Sequence, residues 1–412
     1  MRRTVTMAVV CIILAAGLLL PMGTAVAQQQ VTVVHWQHFH EGRANALRGL
    51  IQVFERQNPG IKIQTDLPPF EQYGPKLLSA LATGTGPDVF QIAMSSSDQY
   101  INAGFLAPVP SSVATAQDIR DNYLPWTTER FRRGNQYYGL PTDVQTLVMY
   151  INDALAREAG LDPSRPPETW DELIAAARRA TKRDAAGNII QAGLDTRYKW
   201  AVYSSLLYQY VTGPVIDAAG RKANYDSAEG IAAWKVVEEL LRGPNAVDSP
   251  RFLPGQRKWE FNRAVFYINH PVNRSVIAQL APDIRYTIAP IPKIRGRQLV
   301  VPGHHWAYVV NAKSRNVEAA WRWVAFLTSR TGQRAWMQNA GDLPATPTLL
   351  PEERNAVVRD SLRFVRPTQY IGPCDPIRND LFDAIALTTT PVEQLVRTAV
   401  ERENSCIREA LR

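Results

Sequence analysis

Two hydrophobic periods alternate along the chain. Residues 31–36 form a short apolar run, and 44–57 repeat apolar positions at helical spacing until Asn58-Pro59-Gly60. A second run at 61–67, a second helical stretch at 73–83 and a third run at 87–93 complete two βαβ steps. Another strand is expected at 264–269. From Gly303 to Pro347 the pattern predicts a Gly-His-His-Trp loop, a strand and two helices. Asn316 is placed to cap a helix whose apolar positions Val317, Ala320, Trp321, Val324 and Leu327 share one face, and Ser329 to cap a second that stops near Gly341. Thr169 and Glu172 have capping-box spacing, with Trp170 opening the apolar face behind them. Strands alternating with helices imply an α/β class with mostly parallel sheets.

The first residues follow a different pattern. Arg2 and Arg3 precede an apolar stretch at 5–20, and Ala25-Val26-Ala27 supplies an A-x-A cleavage site. The stretch is shorter than the roughly 20 residues a membrane span needs. Residues 1–27 therefore read as a secretory signal peptide, and the protein as soluble, exported, and periplasmic or otherwise extracytoplasmic. Cys11 lies inside the apolar stretch, which argues against a lipid anchor there. Cleavage would take Lys+Arg from 46 to 44 against 38 Asp+Glu, lowering the net charge from +8 to +6. The charges are interspersed, so no nucleic-acid face is expected. Cys374 and Cys406 are the cysteines left after cleavage, and an oxidising compartment leads us to expect a disulfide between them.

About 385 residues are too many for one core, so two domains are expected. FERQNPGIKI, ATGTGPDVFQI, AGFLAPV and YYGLPTDVQTLVMYIND, followed by ALAREAGLDPSRPPETWDELIAAARRATKRDAAGN and the Gly303–Pro347 segment, occur in that order. This series resembles the extracellular solute-binding proteins of family 1, relatives of the maltose-binding proteins that serve ATP-driven importers. The resemblance covers most of residues 31–347 and is weak over the last 65 or so. It implies a two-lobed periplasmic-binding-protein fold, type II-like, with the ligand cleft between the lobes. One lobe would comprise 31–143 and 307–341, the other 144–306 and 342–412, with crossings near 142–147, 304–307 and 343–346. It also implies a monomer without cofactor that binds a sugar or polyol and delivers it to the membrane subunits of an ABC permease.

The candidate site residues follow from that placement. All six histidines fall in three places that the resemblance puts beside the cleft: His35, His38 and His40; His270; and His304 with His305. Convergent imidazoles suit a metal ion or hydrogen bonds to a polar ligand, and no helical H-x-x-x-H pair or CxxC accompanies them. Sugar rings present an apolar C–H face that stacks on aromatics. Trp36 and Trp306 coincide with family cleft positions, Trp200 and Tyr203 with a platform in the second lobe, and Tyr73 joins the first-lobe set. Trp170, Trp234, Trp321, Trp323 and Trp336 sit in helical stretches and read as packing residues. Ligands of open α/β sheets bind beyond the carboxyl ends of strands, which selects Ser95, Ser97, Asp98, Asp143, Asn269 and Asn273, with Gly303 at the crossing. Asp143 is the leading polar candidate. G-x-S-x-G, Walker A and H-E-x-x-H signatures are absent, so catalysis is not expected. Three alternatives stay open: a binding protein for iron or a metal chelate, one for a phosphorylated polyol held by Arg274, and a glycoside hydrolase with facing carboxylates.

Overall fold

A computed structural model describes residues 30–217, 221–369 and 371–410. The signal peptide expected at 1–27 lies outside the described residues. Two five-stranded sheets organise the chain into two lobes. In the first sheet the order is Ile61–Asp66, Val31–Trp36, Val89–Ala93, Trp306–Val310, Leu140–Pro141. In the second it is Tyr286–Pro290, Val148–Asn152, Ala264–Asn269, Ile189–Asp195, Lys182–Arg183.

The βαβ units pair in parallel, Val31 opposite Ile61 and His35 opposite Val89. Trp306–Val310 instead runs antiparallel to Val89–Ala93, with Trp306 opposite Ala93. Val148–Asn152 likewise runs antiparallel to both its neighbours. The sheets are therefore mixed, where alternation suggested mostly parallel ones. The reason is the crossings: a strand that has just arrived from the other lobe enters its new sheet from the opposite end.

Local signals set most element limits. The strands Val31–Trp36 and Ala264–Asn269 match their apolar runs, whereas the first two helices begin earlier than their periodicity, at Glu41 and Phe70. Thr169 and Glu172 form the capping box, Ser329 accepts from the Gly332 amide, and Gly341 ends its helix at φ 79°. Asn316 stands at the N-cap position without capping, because its amide donates to the Thr32 carbonyl (3.1 Å). Helices cover both faces of each sheet. Leu47, Leu50, Phe54, Trp321 and Trp323 fill one side of the first sheet, and Tyr73, Leu77, Phe90 and Phe131 the other. Trp170, Trp234, Trp321, Trp323 and Trp336 are all buried, and Trp259, on a loop, is equally buried with its indole N–H donating to the Val265 carbonyl (3.2 Å).

The C-terminal segment packs on the second lobe. Cys374 and Cys406 are disulfide-bonded, with Cα atoms 5.8 Å apart, which ties the turn Gly372–Cys374 to the helix Val392–Ala410. Beside the bridge, buried Arg378 lies 2.6 Å from Asp375 and 3.3 Å from Glu403, and the Tyr225 hydroxyl donates to Glu403 (2.7 Å). The cross-link shortens the unfolded chain's reach, so Cys374→Ala/Cys406→Ala should lower unfolding free energy by about 3–4 kcal/mol in urea titration. An unchanged urea midpoint would contradict that role.

Candidate ligand cleft

The three crossings lie side by side. The Gln145 amide donates to the His304 carbonyl (2.7 Å) and the His304 amide returns the bond to Gln145 (2.9 Å). Val144 donates to Leu343 (2.8 Å) and Thr142 to Trp306 (2.9 Å). Under this ribbon sits an ion cluster. Arg43, from the first turns of the helix Glu41–Gln57, donates through Nη2 to Asp143 Oδ2 (2.7 Å) and Asp342 Oδ1 (2.9 Å), and through Nε to Asp342 Oδ2 (2.9 Å). Gln145 donates to both carboxylates and Thr142 to Asp143. All of these groups are buried. Burial alone would weaken protonation of the Arg43 guanidinium, but the two carboxylates outweigh it and hold the charge firmly. Asp143 thus differs from the expected ligand acceptor: its oxygens are engaged by Arg43, Gln145 and Thr142 at the crossings.

Above the ribbon, side chains alternate along the second crossing, sending His304 and Trp306 to one face and His305 to the other. Trp306 meets His38 at 4.6 Å between ring centroids and His304 at 5.6 Å. His304 meets His270 at 5.7 Å and Trp200 at 6.1 Å, and Trp200 stacks on Tyr198 at 5.8 Å. On the first-lobe side, Phe70 lies 5.3 Å from His38. One ring cluster therefore runs from Phe70 in the first lobe to Tyr198 in the second. Trp306, Trp200 and Tyr198 are half-buried, while Phe70 and nearby Phe39 are exposed. Apolar ring faces with polar ring edges suit a molecule that is itself apolar on one face and hydroxylated at its rim.

The imidazoles in this cluster are neutral. Burial pushes His270 and His40 down to about 4 and His38 to about 3, with the Arg43 charge adding to the effect. His304 is driven well below the ordinary value by burial and by its neighbours His270 and His305. Around His270 the hydrogen bonds fix the tautomer: Nδ1 faces the Thr146 carbonyl (2.6 Å) and must donate, so Nε2 accepts from the Tyr198 hydroxyl (2.8 Å). Nδ1 of His38, His40 and His304 and Nη1 of Arg43 are buried without a protein partner, as is Nδ2 of Asn273. Such atoms need a partner from water or ligand. Among the described residues no group of three His, Cys, Asp or Glu side chains converges as a metal site.

The remaining candidates divide. Asn269 bridges Tyr267 (2.9 Å) and the His270 amide (2.7 Å) at the strand end, beside Asn273. Ser95 and Ser97 are buried in the turn after Val89–Ala93, where Ser97 donates to Met94 (2.8 Å). Asp98 is paired with Arg133 and stands 3.7 Å from Arg130. Packing places three candidates, Tyr203, Trp36 and His305, apart from the ring cluster. Tyr203 is buried in the second-lobe core against Trp234 (5.5 Å) and Phe382, away from the cluster. Trp36 points to the other face of its strand from His35, and Lys76 covers its ring at 4.6 Å. Tyr73 adjoins the cluster, its ring 6.1 Å from that of His38, but its hydroxyl is taken by backbone, donating to the Gln91 carbonyl (2.6 Å) and accepting from the Gln91 amide (3.0 Å). His305 is fully buried between Trp126 and Phe131, and burial pushes its ring down to about 3. His35 also lies inside the first lobe, accepting from the Trp323 indole (3.1 Å). Gly303 is covered: a Cβ there would come within 2.5 Å of Val365. Arg274 is occupied by Glu353 (2.8 and 3.1 Å) and the Gly341 carbonyl (3.1 Å). Sequence reasoning missed Arg43, Phe70 and Tyr198. Only Phe70, next to Pro68-Pro69 at a strand exit, carried a local signal. A groove of about 500 Å³ on the outer face of the first lobe, between Pro59 and Arg322, has no comparable convergence of rings.

Residues 40–334 match the sequence model of the bacterial extracellular solute-binding proteins. The chain belongs to that family. Its members are solute-binding components of ABC transporters, and among the described residues no helix is long and apolar enough to cross a membrane. An ABC substrate-binding protein of Listeria monocytogenes, solved with cycloalternan, shares the fold at a TM-score of 0.79 and 19% identity, covering 92% of this chain and 99% of that one. A maltotriose-binding protein of Pyrococcus abyssi is 23% identical over 84% of this chain and 73% of its own length. The sn-glycerol-3-phosphate-binding periplasmic protein of Escherichia coli K12 is 31% identical over 42% of this chain and 40% of its own length.

Two outcomes follow for this solute-binding protein. Arg43→Met would leave two buried carboxylates facing each other without a counter-charge, and should destabilise the fold by about 3–5 kcal/mol in denaturant titration. A loss below 1 kcal/mol, far under that ~3–5 kcal/mol range, would show that the cluster is not needed. The histidines set a pH dependence. His35, His38, His40, His270 and His305 titrate at about 3–4 when folded against 6.5 when free, so the unfolded chain takes up protons first as pH falls. Their contribution is complete above pH 6.5 and is lost progressively towards pH 4. Calorimetry should show the unfolding midpoint falling through that window, and a flat profile would contradict the buried neutral rings.

Proposed function

We propose that this solute-binding protein carries a neutral carbohydrate or polyol in the cleft between its lobes and presents it to an ABC permease, without chemical turnover. The observation that carries this reading is the ring cluster from Phe70 through His38, Trp306 and His304 to Trp200 and Tyr198. Its members come from both lobes, so a bound ring would gain contacts from each side only when the lobes approach. That differential is what a two-state carrier requires. In this reading the lobes are 31–143 with 307–341 and 144–306 with 342–412, and residues 1–27 serve as a leader removed on export. Ligand contacts are assigned to His38, His40, Asn269, His270, Asn273, His304, Trp200 and Trp306, with Ser95 at the far end.

The electrostatics favour a neutral ligand over a phosphorylated one. The imidazoles are uncharged, Arg43 is matched by two carboxylates, and Arg274, the residue a phosphopolyol would use, is held by Glu353. The same pairing argues against hydrolysis. Asp143 and Asp342 share one arginine, which opposes a protonated acid facing a free carboxylate base.

Calorimetric titration with maltotriose, maltose, a ketose, glycerol 3-phosphate and Zn²⁺ tests the reading. One-to-one binding of a neutral sugar with no new product is expected. Trp306→Ala should weaken that binding about ten-fold, about 1.4 kcal/mol of lost stacking, with an unchanged circular-dichroism spectrum. Heat from Zn²⁺ or glycerol 3-phosphate alone would sink the carbohydrate reading.

A further inference from the structure

Beyond the crossings, and beyond the helix Asn273–Leu280 where it packs on the helices Glu41–Gln57 and Arg330–Ala340, the lobes also meet at the C-terminal segment. The chain passes from the short strand Val365–Pro367, which pairs in parallel with Val301–Gly303, into the turn Gly372–Cys374. There Gly372 faces the first lobe. A Cβ on Gly372 would stand 3.1 Å from Ser96 Oγ and 3.8 Å from Ser95 Oγ. Those serines belong to the turn that follows Val89–Ala93, at the carboxyl end of the first-lobe sheet, where a ligand would bind. The Gly372 backbone lies outside the left-handed region, so space, not conformation, calls for glycine here.

The second-lobe turn is anchored by several bonds. On the second-lobe side, Arg366 donates to the Tyr208 (3.1 Å) and Val211 (2.6 Å) carbonyls, and the Thr368 amide to Gly303 (2.8 Å). Ile371 is buried in the second-lobe core, the Cys374 amide donates to Ile371 (2.8 Å), and the disulfide to Cys406 closes the segment. On the first-lobe side, Ser95 and Ser97 are buried, and Ser97 is bonded to Met94. Ser96 Oγ can swing aside for a single methyl, whereas a branched side chain at Gly372 would press on the Ser95–Ser96 turn and be taken up by moving the lobes apart.

We propose that the turn Gly372–Cys374 is the second lobe's stop against the first, and that Gly372 is a positioning residue that sets how far the cleft closes at its Ser95–Ser96 end. The site in question is the carbohydrate cleft proposed above, and the inference rests on that reading. It places a determinant of ligand size in the C-terminal segment, outside the matched residues 40–334.

Maltotriose titration of side-chain variants tests it. Gly372→Ala should weaken binding at most about three-fold and Gly372→Val about ten-fold or more, since the added carbons meet the Ser95–Ser96 turn where the lobes approach. Thermal midpoints of the unliganded variants should stay near wild type. Ser96→Gly alone supplies the reference affinity, and Gly372→Val on that background should fall by much less than it does on the wild type, a rescue that a general folding defect would not give. Wild-type affinity in Gly372→Val, or a loss that Ser96→Gly leaves untouched, would overturn the proposal. Should the wild type fail to bind maltotriose, the carbohydrate reading fails for that sugar, and the stop is read without ligand by small-angle scattering. Gly372→Val should then have a larger radius of gyration than wild type, reversed by Ser96→Gly, and equal radii would refute the stop.

Discussion

Arg43 is the constraint on which the arrangement of the two lobes depends. One guanidinium from the first lobe binds carboxylates on two different crossings, and Gln145 bridges the same two carboxylates while its backbone pairs with the third crossing. Three strands that could otherwise slide past one another are thereby held in one register. Buried ions tolerate little misplacement, because each has lost its water and has only these partners to replace it. The cluster therefore contributes geometric precision more than net stability. It joins the crossings and matches the guanidinium charge with two carboxylates.

With that charge neutralised, the ring cluster above it is electrically quiet. Burial keeps the imidazoles unprotonated, so each presents one donor and one acceptor nitrogen. Where protein partners exist, as around His270, the tautomer is settled and the ring is fixed. Where they do not, at His38, His40 and His304, a nitrogen is left for a ligand or water. Fixed apolar surfaces with a few unmet polar atoms are the economy of a preformed small-molecule site. A metal ion would need those nitrogens to converge, and they are instead spread along the cluster.

The C-terminal segment completes the enclosure. It lies against the second crossing at Val301–Gly303, which explains why Gly303 has no room for a side chain, and its end is fastened by the disulfide. A cleft bounded by hinge, rings and a fastened wall leaves the relative position of the lobes as its main freedom. That is the kind of motion by which a carrier can distinguish loaded from empty.

The order of elements was legible in the sequence because local rules govern it. Apolar periodicity marked the strands Val31–Trp36 and Ala264–Asn269, the Thr169–Glu172 box and Ser329 marked helix starts, and the cysteine pair in an exported chain marked the bridge. The loops that carry the candidate ring cluster were also readable, since strand exits are identifiable from the same periods. Which side chain of each loop faces the cleft was not. Trp36 and His38 differ by two positions yet point to different surroundings, and His304 and His305 are split by strand alternation. The Asn316 amide found a carbonyl across the sheet in place of its own helix. Arg43 and Asp342 are 299 residues apart, and nothing near either one announces the other. Such pairings depend on which surfaces the folded lobes bring together, so only the tertiary structure decided that Asp143 pairs with Arg43, that Tyr203 fills a core, and that Gly372 meets Ser96.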